Sequence, residues 1–482
     1  MPFSPARTTH AQTKRTKIVC TIGPACWEQD ILLRLGQAGM DVARLNFSHG
    51  THEEHARVFK RLGVVGRKLG KPFGILQDLQ GPKIRIGDIA KEGVKLIAGR
   101  PAVFTTAPHP AEGDIPVTLP SLHRDVKPKE HLLFDDGLLE VEVKKVDGHR
   151  IITEVVQGGT LLPHKGLNLP GTTLHIPALS SKDRSDAIFG AKLGVDFVAL
   201  SFVRSPNDVK DLRRLLDKQG VSGKAIRIIA KIEKGEAVER FDEILPLCDA
   251  IMVARGDLGI ETPAANVPVI QKQIIAACRD RAVPVIVATQ MLDSMQRNPR
   301  PTRAEVSDVA NAVADHADAV MLSGETASGL FPIESVRVMA DTIRVTEASV
   351  FDNLNPVDMT ASRGVPEVIG ATVRVLVEAL RKPAVVIATA SGRTARDVSS
   401  FRPETSLFAY TFDLHVARTM RLVWGIEPFL ASRKSTPELM VKGALHELLT
   451  KKKLASGEGV IVVTGSPKGT PGSANRIEII RA

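Results

Sequence analysis

Short apolar runs rich in β-branched residues recur along the chain, and most are separated by segments with helical periodicity. The helical segments include residues 208–219 and 269–281. Alternating strand and helix is typical of parallel sheets, and eight such units predict an α/β fold of the (β/α)8 barrel type. The predicted strands are KIVCTIG (17–23), DVARLNF (41–47), FGILQDL (73–79), VDFVALSF (195–202), IRIIAKI (226–232), DAIMVA (249–254), PVIVAT (284–289) and DAVMLS (318–323).

The third and fourth predicted strands are more than a hundred residues apart. The intervening segment contains short strand-like runs at residues 94–99, 131–156 and 165–171, with the hairpin signals DDG and VDG. Loops at the carboxyl ends of barrel strands tolerate insertions. We therefore expect a separate β-rich cap domain over residues 82–177, inserted into the barrel.

The pattern changes again after residue 325. A helical segment at 333–348 leads to a linker, and four apolar runs at 384–390, 406–411, 459–465 and 477–480 then alternate with helical segments. This pattern predicts a small open α/β domain. The expected organisation is a flexible tail (1–13), a barrel in two parts (14–81 and 178–350), the cap (82–177) and a C-terminal α/β domain (351–482).

Polar and charged residues lie at the carboxyl end of almost every predicted barrel strand, where barrel enzymes carry their chemistry. Converging acids and cations indicate a divalent metal such as Mg2+ and an anionic substrate, with Glu233 and Asp257 as candidate ligands. Two structural alternatives stay open, namely a plain Lys231–Glu233 ion pair and an N-capping Asp257. The strand-end residues are Thr21, Arg44, Asn46, Ser48, Asp78, Ser201, Lys231, Glu233, Arg255, Asp257, Thr289, Ser323 and Glu325.

Composition narrows the range of functions. The formal net charge is +10, but the charges are spread along the chain and aromatic residues make up only 4%, which argues against a nucleic-acid partner. The four cysteines form no CxxC motif, and we find neither a signal peptide nor a membrane-spanning run, so we expect a cytoplasmic protein with reduced thiols. No P-loop or dinucleotide-binding fingerprint occurs, and His49, His52 and His55 fit no zinc motif.

Several longer motifs together resemble the pyruvate kinase family. They are KIVCTIGPA, ARLNFSHG, DLQGPKIR, AKIE, IMVARGDLG, ATQMLDSM, RPTRAEVSDVANAV and MLSGETA, in this order. The resemblance implies transfer of the phosphoryl group of phosphoenolpyruvate to ADP, giving pyruvate and ATP, the last step of glycolysis. It also implies Mg2+ dependence, with Mn2+ as a substitute, and a homotetramer.

The resemblance also implies roles for individual residues. Glu233 and Asp257 match metal ligands, and Arg44 and Lys231 match the cations at the transferring phosphoryl group. Substrate-carboxylate contacts fall on Gly256, Asp257 and Thr289, and Thr289 is also implied in protonating the enolate through a relay reaching Ser323 and Glu325. The cap residue Asp136 matches a residue that helps close the lid. The nucleotide-side positions are Pro24, Asn46, His49, Arg85 and Lys165.

Many members of this family require K+, which they hold with residues matching Asn46, Ser48, Asp78 and the carbonyl of Leu79. Those members carry Thr-Lys where this chain has Leu79-Gln80, and Glu where it has Lys83. The Leu-Gln…Lys combination resembles the K+-independent branch. An ammonium at position 83 can replace a monovalent cation beside Asp78, so we expect activity without K+.

The segment ATASGRTA (388–395) follows an apolar run and could present hydroxyls and amides to a phosphate, or could simply be a capped turn. By resemblance it matches a sugar-phosphate effector loop, with TGSPKGTPGSANR (464–476) as the covering loop. We find no match for the tryptophan that holds a second phosphate in relatives, which favours a sugar monophosphate or AMP. The candidate effector residues are Thr389, Ser391, Gly392, Arg393 and Thr394.

Two other functions remain as alternatives. One is a Mg2+-dependent carbon–carbon lyase of the phosphoenolpyruvate/pyruvate barrel superfamily. The other is a non-enzymatic nucleic-acid binder, suggested only by the net charge.

Overall fold

The computed structural model describes residues 14–135, 137–172, 174–219, 226–358, 364–381, 383–432, 436–465 and 474–482. The predicted flexible tail at 1–13 lies outside the described residues, as do Asp136 and residues 466–473 of the predicted covering loop. No helix in the described part of the chain is long and apolar enough to span a membrane.

Eight parallel strands close into a barrel, which confirms the predicted fold. Neighbouring strands follow chain order, and the third and fourth pair directly although the cap lies between them in sequence. Nearly all strand residues are buried, as expected for strands covered by helices outside and side chains inside. The eight barrel strands are Lys17–Ile22, Val42–Asn46, Gly74–Asp78, Phe197–Leu200, Arg227–Ile232, Ala250–Ala254, Val285–Ala288 and Ala319–Leu322.

Helices follow the barrel strands, and several begin at sequence signals. Thr51, Ser180 and Thr302 each form a capping box with an acid three residues later, which satisfies free amides of the first helical turn. The α-helices of the barrel are Gln29–Ala38, His52–Leu69, Ser181–Leu193, Pro206–Asp217, Gly235–Glu239, Phe241–Ile244, Arg255–Glu261, Val267–Asp280, Arg303–Ala314, Gly324–Ala327 and Pro332–Glu347. Short 3-10 helices lie at Leu245–Leu247, Ala264–Asn266, Asp293–Gln296 and Val350–Asp352.

The inserted cap is β-rich, as predicted, and has its own apolar core around Phe104, Phe134 and Val141. Both predicted hairpins form, because the strand after the DDG turn and the strand after the VDG turn each pair antiparallel with the preceding strand. A single short helix, Leu122–Asp125, accompanies the sheets. The cap strands are Val94–Leu96, Pro101–Thr105, Ile115–Pro116, His131–Phe134, Leu139–Asp147, Arg150–Gln157, Gly159–Leu161 and Leu167–Asn168.

The C-terminal domain is a five-stranded α/β sheet, also as predicted. In sheet order its strands are Ile426–Leu430, Leu407–Thr411, Ala384–Ala388, Gly459–Gly465 and Ala474–Arg481, the last being antiparallel to its neighbour. The strand Ile426–Leu430 was not predicted; it contains Pro428 and is tolerated because it lies at the sheet edge. The helices are Val365–Ala379, Arg393–Ser400, Leu414–Thr419 and Pro437–Thr450, with a 3-10 turn at Met420–Leu422.

An aspartate stands immediately before each even-numbered barrel strand. Each carboxylate accepts a hydrogen bond from the backbone amide near the start of the preceding odd-numbered strand, at 2.8–3.2 Å. The arrangement ties neighbouring strands together at the amino-terminal end of the barrel, hereafter the base. The four pairs are Asp41 with Ile18, Asp196 with Ile75, Asp249 with Ile228, and Asp318 with Val285.

Every one of these four aspartates has a cationic or histidine partner, but the partners differ in origin. Barrel lysines and arginines pair with Asp41 and Asp249. Residues of the C-terminal domain serve the other two: His415 Nδ1 lies 2.9 Å from Asp196, and Arg402 lies 2.9 Å from Asp318.

Leu422 of the C-terminal domain also closes the base. This fully buried side chain belongs to the cluster of barrel-interior residues that includes Val19, Leu76 and Met321. The ammonium of Lys17 donates to the carbonyl of Ile426 at 2.8 Å. The C-terminal domain is thus packed directly beneath the barrel.

Candidate active site

Lys231, on the fifth barrel strand, lies at the centre of a buried charged group at the opposite end of the barrel. Its Nζ is 2.8 Å from Oε1 of Glu233 and 3.4 Å from Oδ1 of Asp78. Lys231 and Glu233 are two residues apart, so both side chains extend to the same side. Burial alone would lower the pKa of Lys231, but the charges of Asp78 and Glu233 hold it above its ordinary value.

Arg44, on the second strand, belongs to the same group. Its Nε donates to Oδ2 of Asp78 at 2.7 Å, and a second guanidinium nitrogen donates to Oγ1 of Thr21 at 2.8 Å. Burial would raise the pKa of Asp78, yet the charges of Lys231 and Arg44 keep it below its ordinary value. Two cations therefore converge on one carboxylate.

The carboxylates of this group fit a divalent metal. Oε1 of Glu233 is buried and accepts no hydrogen bond of normal geometry, although it lies in ion-pair range of Lys231. Burial raises the pKa of Glu233; Lys231 offsets part of this effect, and the nearby charge of Asp257 adds to it. Two carboxylates without a third protein ligand suit Mg2+, which completes its shell with waters and substrate oxygens. No cluster of three or more acidic, His or Cys ligands occurs among the described residues.

Thr289 follows the seventh strand in a strained backbone conformation, with φ of +70°. This is rare for a β-branched residue, and such outliers are concentrated at functional sites. Its hydroxyl donates to the carbonyl of Ala288 at 2.6 Å and accepts from the amide of Gly256 at 2.8 Å. The Gly256 amide, predicted to bind a substrate carboxylate, therefore already donates to the Thr289 hydroxyl.

Arg255 holds the loop that contains Thr289 in place, although the sequence predicted no specific role for it. One guanidinium nitrogen donates to the carbonyl of Thr289 at 2.8 Å, and the group pairs with both carboxylate oxygens of Asp308 at 2.7 Å. Its position directly before Gly256 in the motif VARGDLG was the available signal.

Ser323 and Glu325 follow the eighth strand. Glu325 is 2% exposed, and its two oxygens accept the amides of Ser323 and Leu292, at 2.7 and 3.0 Å. Burial raises the pKa of Glu325. This carboxylate thus links the loop after the eighth strand with the loop after the seventh, which contains both Leu292 and Thr289.

Ser201 was noted only as a strand-end residue, but the structure brings it against Lys231. The ammonium donates to Ser201 Oγ at 2.8 Å, and Oγ donates to the carbonyl of Leu79 at 2.7 Å. The next residue, Phe202, donates the hydrogen bond of its amide to Oε2 of Glu233 at 2.7 Å.

Lys182 was not singled out from the sequence. Its ammonium donates to the carbonyl of Phe47, directly after the second strand, at 2.6 Å.

A cleft of about 280 Å3 separates the cap from the barrel mouth. Of the predicted site residues, Lys83, Arg85, Lys165 and Asp257 line it. Arg85 donates to the carbonyl of His164 at 2.9 Å, and Lys165 pairs with Asp135 at 2.7 Å. The cleft thus carries several cations facing the candidate metal ligand Asp257.

The other predicted nucleotide-side residues follow the first two strands and do not line this cleft. Pro24 and His49 are exposed, and Asn46 Oδ1 accepts the amide of Ser48 at 3.2 Å. Lys83 is exposed and forms no ion pair with a carboxylate of the described chain, whereas Asp78 pairs with Arg44 and Lys231. The predicted contact between Lys83 and Asp78 is therefore absent here.

The candidate effector residues lie together at the carboxyl end of strand Ala384–Ala388. Gly392 adopts a φ of +78°, and its amide donates to Thr389 Oγ1 at 3.0 Å. Arg393 begins the next helix and pairs with Asp397 at 3.2 Å. Residues 466–473 of the predicted covering loop lie outside the described residues.

Comparisons with known proteins agree with this architecture. The family model "Pyruvate kinase, barrel domain" matches residues 13–336, and "Pyruvate kinase, alpha/beta domain" matches residues 367–480. Pyruvate kinase 2 of Synechocystis is 42% identical over 97% of this chain and 80% of the relative. Pyruvate kinase of Corynebacterium glutamicum is 44% identical over 97% of both chains.

A solved pyruvate kinase structure from Cryptosporidium parvum superimposes with a TM-score of 0.90 at 35% identity, covering 97% of this chain and 96% of that one. Both matched family models describe pyruvate kinase rather than a carbon–carbon lyase. The chain therefore belongs to the pyruvate kinase family and converts phosphoenolpyruvate and ADP into pyruvate and ATP.

Proposed function

We propose that this reaction takes place around Lys231, Arg44 and Thr289 at the carboxyl ends of the barrel strands. The observation that carries the proposal is the convergence of Lys231 and Arg44 on the buried Asp78. Phosphoryl transfer requires mainly positioning and neutralisation of charge, and two fixed cations supply both. Arg44 would bind the substrate phosphate, while Lys231 would stabilise the transferring group and the enolate left behind.

Glu233 and Asp257 are proposed to hold the divalent metal that the family uses, Mg2+ or Mn2+. Three carboxylates (Asp78, Glu233 and Asp257) face two cations, so the group has a formal charge of −1 before substrate binds. When bound, a divalent ion would supply Lewis-acid polarisation and neutralise charge on substrate oxygens. The remaining substrate contacts would be a carboxylate held by Gly256, Asp257 and the Thr289 hydroxyl.

Thr289 is proposed to deliver a proton to the enolate, with Ser323 and Glu325 as the relay behind it. Support comes from the strained backbone at Thr289 and from the raised pKa of the buried Glu325. ADP would bind on the cap side with Arg85 and Lys165, and with Pro24, Asn46 and His49 near the first two strands. The cap would exclude water from the enolate.

We further propose that activity does not require K+, with Lys83 supplying the missing positive charge at the site of Asn46, Ser48, Asp78 and the Leu79 carbonyl. Lys83 lines the same cleft as Asp257, which supports this role. Since Lys83 forms no ion pair with Asp78 among the described residues, its charge would reach the site only with substrate bound and the cap closed.

The test is pyruvate formation in tetramethylammonium buffer, with and without added K+. We expect full activity without K+, and Lys83→Glu should create a K+ requirement. Lys91→Glu makes the same charge change at an exposed cap position and should not. Strong activation of the unmodified protein by K+ would contradict the proposal.

We also propose an effector site for a sugar monophosphate or AMP at Thr389, Ser391, Gly392, Arg393 and Thr394. Titrating glucose 6-phosphate, AMP and fructose 1,6-bisphosphate would identify the activator. Arg393→Gln should weaken activation, whereas Lys442→Gln, an exposed change elsewhere in the domain, should not. Indifference to all three compounds would refute this site.

A homotetramer is the proposed assembly. Helix Arg303–Ala314 is one candidate contact, and Val365 and Val368 are exposed apolar residues on another helix. Light scattering on the purified protein would give the subunit number directly, and a monomeric mass would contradict this proposal.

A further inference from the structure

The hydroxyl of Ser201 makes two hydrogen bonds whose directions are fixed by chemistry. An ammonium can only donate and a carbonyl can only accept, so Oγ accepts from Lys231 and donates to Leu79. Ser201 is 2% exposed, which excludes competing water. The orientation of the hydroxyl is therefore set by the protein alone.

This contact determines how Lys231 distributes its three N–H groups. One points to the neutral oxygen of Ser201, while Oε1 of Glu233 and Oδ1 of Asp78 lie 2.8 and 3.4 Å from Nζ. Neither of these carboxylate oxygens accepts a hydrogen bond of normal geometry. Without the Ser201 hydroxyl, the ammonium would turn its free N–H towards the nearer carboxylate, that of Glu233.

Ser201 and Phe202 also lie against Gly81, directly before the cap. Gly81 has a φ of +71°, and a Cβ placed there would lie 2.9 Å from Cβ of Ser201 and 2.7 Å from Cδ2 of Phe202. The Phe202 amide donates to Glu233. Two adjacent residues therefore connect the segment that leads into the cap, at Leu79 and Gly81, with both Lys231 and Glu233.

We propose that Ser201 is a positioning residue for the pyruvate kinase reaction, which keeps the N–H groups of Lys231 from hydrogen-bonding Oε1 of Glu233 so that this oxygen remains available to the divalent metal. The inference rests on the roles proposed above for Lys231 and Glu233. It adds a residue that has no substrate contact of its own and acts through the lysine.

The test compares Ser201→Ala, which removes the hydroxyl, with Ser201→Cys, which keeps a weaker donor and acceptor in similar volume. We expect kcat to fall roughly tenfold to hundredfold in Ser201→Ala, with Ser201→Cys intermediate. The KM for ADP should change far less, because Ser201 does not line the cleft that carries Arg85 and Lys165. Electron paramagnetic resonance of free and bound Mn2+, without turnover, should show binding weakened by roughly threefold or more.

Ser335→Ala is the matched control, since it removes a fully buried hydroxyl in helix Pro332–Glu347 that donates to the carbonyl of Phe331. It should leave kcat and Mn2+ affinity unchanged. If Ser201→Ala retains both values, or loses kcat with normal Mn2+ affinity, the inference is wrong. Lys231→Ala tests the underlying proposal separately: if it remains active, the role of the lysine fails, whatever Ser201 does.

Discussion

The side chains of Arg44 and Asp78 form a buried ion pair, with Nε 2.7 Å from Oδ2, that joins the second and third barrel strands at their carboxyl ends. The other oxygen of Asp78 faces Lys231 from the fifth strand. One carboxylate thus orders two cations from separate strands. Removing a single negative charge should disturb both.

Asp78→Asn tests this arrangement. The amide would leave two buried cations beside an uncharged group, and breaking a buried pair in this way costs about 3–5 kcal/mol. We expect kcat/KM for phosphoenolpyruvate to fall roughly hundredfold, because the cations lose their fixed positions. Kinetics and urea unfolding would measure the two effects. Glu243→Gln, which breaks an exposed pair with Arg240, should alter neither.

Arg255→Lys should reduce turnover without a direct substrate contact. A lysine cannot make the two-pronged pair with Asp308 and also reach the carbonyl of Thr289. The strained conformation of Thr289 would then relax, and we expect kcat to fall about tenfold with little change in the KM for ADP. The matched variant Arg240→Lys, at an exposed pair, should behave as the unmodified protein.

Lys17 predicts a specific dependence of stability on pH. Burial lowers its pKa from 10.5 to about 7 in the folded protein. Between these values the unfolded chain binds more protons, so stability should rise with pH and the cost of burying the charge should vanish above pH 10.5. In Lys17→Met this contribution is absent. The difference in unfolding free energy between the two proteins, measured in urea from pH 6.5 to 10, should shrink as pH rises; a constant difference would refute the assignment.

Leu422→Ala should destabilise the barrel although the residue belongs to the C-terminal domain. Its side chain is fully buried among barrel-interior residues, and such truncations cost about 2–5 kcal/mol. Urea unfolding monitored by circular dichroism would measure the loss. Leu439→Ala, at a position that is 56% exposed in the same domain, is the control and should have a small effect.

The barrel strands could be predicted because each is a short β-branched run bounded by helical segments. Strand Ile426–Leu430 could not, because Pro428 is compatible with a strand only at an edge, which the sequence does not reveal. The partners of the buried aspartates were equally inaccessible: His415 lies 219 residues from Asp196.

The candidate site was predictable residue by residue but not contact by contact. Lys231, Glu233 and Asp78 were identified from their places after strands, whereas the bonds of Ser201 depend on the register between three strands. Among the described residues Asp78 pairs with Arg44 and Lys231 and not with Lys83. Replacement of K+ by Lys83 stays a prediction.

The paired aspartates at the base imply that the barrel and the C-terminal domain, although separate in sequence, depend on each other for folding. If the chain were cut after the linker, Asp196 and Asp318 would lose His415 and Arg402, and the base would lose Leu422. Two buried carboxylates without a cationic partner, together with an uncovered end of the barrel, would strongly lower the free energy of unfolding of a marginally stable domain. We expect the isolated barrel to be insoluble or partly unfolded, and the two domains to be inherited, expressed and lost as one unit.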